Sequence, residues 1–413
     1  MKPINTALPL TALAAAISLG AAPAAAKPGD PIKVSDALTI DPIIEGTLRW
    51  EHVDQDDLNL DADAVTMRMR AGAEATTGGF SLLAEAEGTL ALVDNYNDTI
   101  PGNHGYIGAE PYSTIPDPQN VELNRLQLAY KGKAAKVTVG RQRIIHDAAR
   151  FVGNVGWRQN EQTFDAVRGE AKIGPVALDA AYAISQRTIF GIDSPSSHFK
   201  GDMILAQAGV DVKPMKVKAF AYLLDYDTRL AFSSQTYGLL ATGAVPLGGA
   251  VKLDFVASYA SQRDYGHNPA DYSADYINGE LGASAQGFRL SAGYEELGSD
   301  DGLAAFQTPL ATAHAFNGWA DLFLTTPANG LRDYYGGVSK KIGDAGPLKG
   351  LNAAVTYHKF ESDFGGADYG QEWDAILTFS VKSYAVLLKY ANYDAKDFGT
   401  DTQKFWLQLA FKY

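Results

Sequence analysis

The last nine residues, Phe405 to Tyr413, alternate without a break. Phe405, Leu407, Leu409, Phe411 and Tyr413 fall on one face of a strand, and Lys404, Trp406, Gln408 and Lys412 on the other. Successive strand side chains point to opposite faces, so this segment is apolar on one side and polar on the other. The termini of soluble domains usually fray in polar residues. Alternation that runs to a terminal aromatic fits instead the closing strand of an outer-membrane barrel, apolar toward lipid and polar toward the lumen.

The start of the chain agrees. Lys2 is the only charged residue before Lys27, and an apolar stretch from Ala7 to Leu19 leads to the small-residue site Ala24-Ala25-Ala26. Residues 1–26 therefore read as a secretory signal peptide, and 27–413 as one mature domain. Beyond Lys27 no apolar run approaches the ~18 residues that a spanning helix needs. The chain has no cysteine, which excludes a disulfide framework and thiolate metal sites and suits transit through an oxidising periplasm. The formal charge is -13, or -14 without the segment that carries Lys2. That acidity argues against a nucleic-acid partner.

Strand signals recur along the whole mature chain. From Val65 to Glu74, the residues Val65, Met67, Met69, Ala71 and Ala73 share one face, and Arg68, Arg70 and Glu74 the other. Similar alternation follows from Val176, Val251, Phe288, Leu351, Trp373 and Tyr384. Short turns, such as 76–79, 131–134, 213–216 and 382–383, alternate with long polar segments at 93–120, 144–161, 190–200 and 299–330. This rhythm predicts an all-β, transmembrane antiparallel β-barrel of about 18 strands, with both termini in the periplasm. A sandwich or propeller would not place apolar residues on the outer face of nearly every strand. Closure leaves no unpaired edge in lipid. At ~18 strands the interior is too wide for wall side chains to fill, so function lies in what lines and plugs it.

One stretch is more specific. Asn124-Arg-Leu-Gln-Leu-Ala-Tyr130 leads into Val137-Thr-Val-Gly-Arg-Gln-Arg-Ile144, then Arg150-Phe-Val-Gly-Asn-Val-Gly-Trp-Arg-Gln159 and Gln162-Thr-Phe-Asp-Ala-Val-Arg168. With Gly79-Phe-Ser-Leu-Leu-Ala-Glu-Ala-Glu87 upstream, this resembles the alginate-export family of bacterial outer-membrane porins. The resemblance is strong over roughly residues 65 to 170. It implies a monomeric pore, an arginine-ringed lumen and an anionic saccharide as substrate, though a fold transfers better than a substrate. A C-terminal aromatic strand also resembles the signal read by the barrel-assembly machinery. Tyr413 stands where that signal usually has Phe.

Lumen-facing charge is the chemistry on offer. Arg68 and Arg70 are the clearest, because the reverse assignment would put two arginines into lipid at about 2–4 kcal/mol each. Glu85 and Glu87 are expected inward on the next strand, opposite Leu82, Ala84 and Ala86. Arg125, Arg168 and Glu170 are expected inward too. Arg141 and Arg143 share parity with Val137 and Val139, so lining the lumen requires a bulge near Gly140, or else they leave the bilayer into the headgroups. Opposed Arg and Glu rows would set up a transverse field, and guanidinium forks would hold a passing carboxylate briefly. Trp157, Arg158 and Gln159, with Asp165, are read as the anchor of an inward-folded loop. The long loops 93–120 and 299–330 are candidate lids or plugs.

Other readings are weaker. Asp54, Asp56 and Asp57 could bind calcium, but the segment lacks the glycine and terminal glutamate of an EF-hand loop. No other cofactor is expected. The histidines, His52, His104, His146, His198, His267, His314 and His358, show no metal-ligand spacing, and neither Gly-x-Ser-x-Gly nor His-Glu-x-x-His occurs. An enzyme is therefore not expected, although His358 has inward parity. A general diffusion porin without saccharide specificity is the main alternative, with a surface receptor behind it.

Overall fold

The computed structural model describes residues 29–101 and 111–413. The signal segment 1–26 lies outside the described residues, as does part of the 93–120 loop. One antiparallel sheet closes on itself. A two-residue strand, β1 (Ile32–Lys33), flanks the first long one. The next nine strands are β2 (Thr39–Gln55), β3 (Ala62–Thr77), β4 (Phe80–Asn95), β5 (Asn120–Lys131), β6 (Ala135–Gln142), β7 (Thr163–Ile173), β8 (Val176–Arg187), β9 (His198–Val212) and β10 (Met215–Tyr226). The rest are β11 (Ser234–Gly248), β12 (Val251–Asp264), β13 (Ser273–Ala285), β14 (Phe288–Leu297), β15 (Leu331–Ala345), β16 (Leu348–Glu361), β17 (Asp368–Val381), β18 (Tyr384–Ala395) and β19 (Thr402–Lys412). Each long strand pairs with its chain neighbours, and β19 pairs with β2 from Thr402↔Gln55 to Lys412↔Glu45. The C-terminal strand β19 thus closes an 18-stranded barrel.

Both ends of the barrel wall, Thr39 and Lys412, lie at the rim that carries the short turns. The long loops gather at the opposite rim. Exposed aromatics mark two belts on the outer surface. Phe80, Tyr130, Phe288 and Tyr384 lie near the short turns, and Trp50, Tyr182, Tyr237, Tyr259 and Trp373 nearer the long loops. Exposed leucines and valines occupy the band between, as an interfacial girdle around a lipid-facing zone requires. Phe411 lies over Gly46, where a Cβ would come within 2.6 Å of the ring.

Leu409 is exposed and sits midway between Phe405 and Tyr413 on the closing strand. Leu409→Arg should therefore destabilise the barrel by about 2–4 kcal/mol. The urea midpoint of the heat-modifiable band in gel electrophoresis measures this. An unchanged midpoint would place Leu409 outside the lipid zone.

The interior is not empty. Ile144, Val152, Phe306, Leu310 and Phe323, from two long inward loops, are buried against the wall residues Tyr226, Leu297, Leu331, Phe360 and Tyr393. Residues 144–162 and 299–330 run beside each other inside the barrel. Val152 pairs with Leu310 as an isolated bridge, Gly153 N–H donates to Leu310 O at 2.8 Å, and Thr312 N–H to Ala149 O at 3.0 Å.

Candidate functional site

The arginines of the first strands meet carboxylates inside the barrel. Arg68 and Arg70 point inward from β3, as their alternation with exposed Met67 and half-buried Met69 dictates. Arg68 donates to Thr47 Oγ1 at 2.9 Å, with Glu45 at 3.7 Å. Arg70 bonds Glu87 and reaches Glu45 at 2.9 Å and Glu161 at 3.7 Å. Glu85 and Glu87 face inward from β4. Arg125 forks onto Glu85 at 2.8 and 2.7 Å. A register shift lets it do so: Glu85 pairs with Arg125 while Ala86 pairs with Leu123, so Asn124 is the extra residue. Asn124 bonds Glu85 at 2.8 Å and Glu161 at 2.6 Å. Arginines and glutamates therefore interleave in contact on one wall. The expected arrangement, Arg and Glu rows opposed across the lumen, is replaced by this one.

Arg141 and Arg143 separate. Gly140 has φ +115, and a Cβ there would lie 2.3 Å from Leu126 O, so only glycine fits this kink. Arg141 keeps the outward parity of exposed Val137 and Val139 and bonds Asp165 at 2.8 Å and Leu123 O at 2.9 Å. It is not brought to the other arginines, and Asp165, expected at the loop anchor, serves as its partner on β7. The strand ends at Gln142, which frees Arg143 to turn inward onto Glu161 at 2.6 Å, with Glu85 at 3.6 Å. Arg168 faces inward lower on the wall and bonds Asp179 at 2.8 Å, and Glu170 lies 3.7 Å from both Lys136 and Arg168.

Burial separates the members of two pairs, Arg125–Glu85 and Arg143–Glu161, whereas Glu45 is more exposed than Arg68 and Arg70. The Glu85, Glu87 and Glu161 side chains are 0% exposed. Arg125 and Arg143 are 14% and 25% exposed. In these two pairs the exposed surface is guanidinium and the carboxylate is covered.

Trp157, Arg158 and Gln159 tie the loop 144–162 to its surroundings, without Asp165. Trp157 stacks on His314 at 4.5 Å and 10°, and the Arg49 guanidinium lies 4.1 Å over its ring. Arg158 reaches Glu51 at 3.0 Å, Asp321 at 3.2 Å and Asp117 at 3.6 Å. Gln159 donates to Thr66 Oγ1 at 2.7 Å, and its own N–H to Asp117 Oδ1 at 2.8 Å. Burial pushes the His314 imidazole well below its ordinary pKa, against the pull of Asp321. A neutral ring can accept from Lys389 at 2.6 Å on Nε2 and donate from Nδ1 to Asp321 at 2.7 Å.

A closed wall of this strand number, filled by inward loops, has close relatives in shape. OpdK of Pseudomonas aeruginosa, solved with vanillate, superposes with a TM-score of 0.69 at 16% identity, covering 92% of this chain and 98% of that one. OccAB4 of Acinetobacter baumannii gives 0.71 at 12% identity, covering 94% and 100%. At such identity the likeness is one of fold. No curated protein sequence matches the chain. The sequence profile for alginate export matches residues 49–282, more than half of the chain. The chain belongs to the alginate export family. It is an outer-membrane β-barrel of the porin type, and neither its family nor its fold neighbours are enzymes.

Arg49, Glu51, Arg150 and Asn317, all interior groups of this family member, were not anticipated from the sequence. Arg49 and Glu51 share an inward parity on β2 that the alternation with Leu48 and Trp50 could have revealed. Arg150 bonds Glu295 at 2.7 Å, and Asn317 bridges Glu295 at 2.7 Å and Asp333 at 3.3 Å. No local pattern signals those pairings. His358 faces the interior between Asp333 at 3.0 Å and Asp374 at 3.7 Å, bracketed by carboxylates and not set beside a serine. Arg150, Glu295, Asn317, Asp333 and His358, with Glu280 and the aromatics Phe220, Tyr276 and Phe316, line a cavity of about 270 Å³. Asp54 and Asp56 stand at the long-loop rim near Asp394 and Asp401. Among the described residues no three carboxylate or imidazole groups converge as a metal site would need.

Proposed function

We propose that the barrel is a passive channel for small anionic solutes, with carboxylated saccharides of the uronate type as its substrate class. The observation that carries this is the unequal exposure within the Arg125–Glu85 and Arg143–Glu161 pairs, which presents planar N–H forks to the lumen and covers the carboxylates. A passing carboxylate would exchange water for these donors. Partial neutralisation from behind keeps the hold weak enough for release. The family is described by alginate export, and OpdK was solved with vanillate, also a carboxylate. The inward loops favour short solutes over long polymers. We assign the short-turn rim to the periplasm, as the class requires. The closing strand ending at Tyr413 would then be displayed to the assembly machinery, and the pore would work as a monomer.

Reversal potentials in a planar bilayer under a KCl gradient test the proposal. Wild type should prefer chloride, and Arg125→Ala/Arg143→Ala should lower the chloride-to-potassium permeability ratio by roughly threefold or more. An unchanged ratio would make these arginines wall braces and leave a general diffusion porin as the better reading.

A further inference from the structure

At the short-turn rim a second cavity, of about 510 Å³, opens between the β5–β6 turn and strands β7 to β10. Its charge is lopsided. Five lysines line it, Lys131, Lys133, Lys136, Lys172 and Lys218, against two carboxylates, Glu170 and Asp179. Both carboxylates are already engaged: Glu170 by Lys136 at 3.7 Å, and Asp179 by Arg168 at 2.8 Å. Lys218 is taken by Asp147. Lys131, Lys133 and Lys172 are exposed and belong to no ion pair among the described residues. In a chain of net charge -13, such an excess at one mouth is not a background of surface lysines.

We propose that this vestibule is a separate docking station for multiply charged carboxylates, placed in series with the Arg125 and Arg143 forks. The inference deepens the anion-pathway reading and rests on it. Lysine ammoniums are flexible, strongly hydrated point charges. They gather anions without fixing an orientation, which suits a mouth more than a constriction. A fixed potential enriches a solute by a factor that multiplies with each added charge. A mouth that concentrates a monoanion about threefold would concentrate a trianion about thirtyfold. The station therefore selects by charge number, and the arginine forks further in select by carboxylate shape. Its action must also be one-sided, because the lysines sit at one rim only.

Sidedness is the test. The mature chain, with Ser383→Cys in a short turn, is reconstituted in a planar bilayer at 0.1 M KCl. It has no other cysteine, so a membrane-impermeant thiol reagent reports which rim faces which chamber. Citrate is then titrated from either side, with acetate as the monovalent control. Citrate should reduce the chloride current at about tenfold lower concentration from the short-turn side, and acetate should show little difference. Lys131→Gln/Lys133→Gln/Lys172→Gln should bring the citrate ratio close to one, Lys172→Glu alone should move it the same way, and 1 M salt should abolish it. Equal titrations from both sides in wild type, or a ratio that survives the triple substitution, would overturn the proposal. The two readings fail separately. Citrate sidedness that persists while Arg125→Ala/Arg143→Ala leaves ion selectivity unchanged keeps the vestibule and removes the arginine pathway.

Discussion

Arg158→Met should both loosen the barrel and open it. Arg158 is buried and is the cation nearest Glu51, with Oε2 at 3.0 Å. Asp321 keeps Lys404 at 3.3 Å and His314 at 2.7 Å without it, and Asp117 keeps Arg49 at 3.6 Å. Glu51 has no such replacement among the ion pairs of the described residues. Removing one partner of a buried pair costs about 3–5 kcal/mol, because the remaining charge is left uncompensated. The heat-modifiable band should therefore unfold at clearly lower urea. Arg158 also ties the 144–162 loop to the wall and to the 299–330 loop, so single-channel conductance should rise as the loop tip detaches. Glu51→Gln in the same chain separates the two effects. It removes the stranded charge, so stability should recover in part while conductance stays high. Arg158→Lys, which keeps the charge but loses the fork, should fall between. Unchanged conductance in Arg158→Met would mean that the loop's other contacts, among them Gln159 with Thr66 and Asn160 with Thr89, hold it in place without Arg158.

The barrel was legible because its signal is local. Alternation on β19 and β3 depends only on the pleat and on what each face touches, and the short turns carry their own chemistry. Arg68, Arg70, Glu85 and Glu87 could be given a face for the same reason. Arg125 inward also followed from parity, but its neighbour Asn124 facing the same way did not. That requires an extra residue in β5, and a bulge leaves no mark on the alternation pattern. Arg143 shows a different limit. Its parity is outward within the strand, and it faces inward only because β6 stops at Gln142, after the kink at Gly140. The loop contacts were out of reach for a third reason. Arg158 meets Glu51 and Arg150 meets Glu295 across more than a hundred residues of chain, and such pairs are set by how two loops fill one volume. Loop placement also decides which half of an ion pair a solute would meet, and so a list of inward charges could not foresee Glu85 and Glu161 covered while Arg125 and Arg143 keep part of their surface.

Replacing residues 298–330 by Asn-Gly should give the largest change in conductance. Leu297 and Leu331 are paired across β14 and β15, so a two-residue turn can join the strands there without altering the wall register. The deletion removes Phe306, Leu310 and Phe323 from the interior, with His314 and Trp319 beside Lys389. The loop 144–162 would lose the partners of Val152, Gly153 and Arg158 within 299–330, but Gln159 would keep Thr66 and Asn160 would keep Thr89. Half of the plug would thus remain. Conductance should rise severalfold, because the lumen of an ~18-stranded barrel is wide once cleared. Selectivity should fall, since a wider path lets ions pass outside the reach of the Arg125 and Arg143 forks, about a Debye length of ~10 Å at 0.1 M salt. The wall keeps its strand ladder without the loop but loses packing against it, so the folded band should persist in electrophoresis at a lower urea midpoint. A pore of unchanged conductance would show that 299–330 does not limit the path, and loss of binding to an outer surface with the pore intact would turn the loop's role toward a receptor.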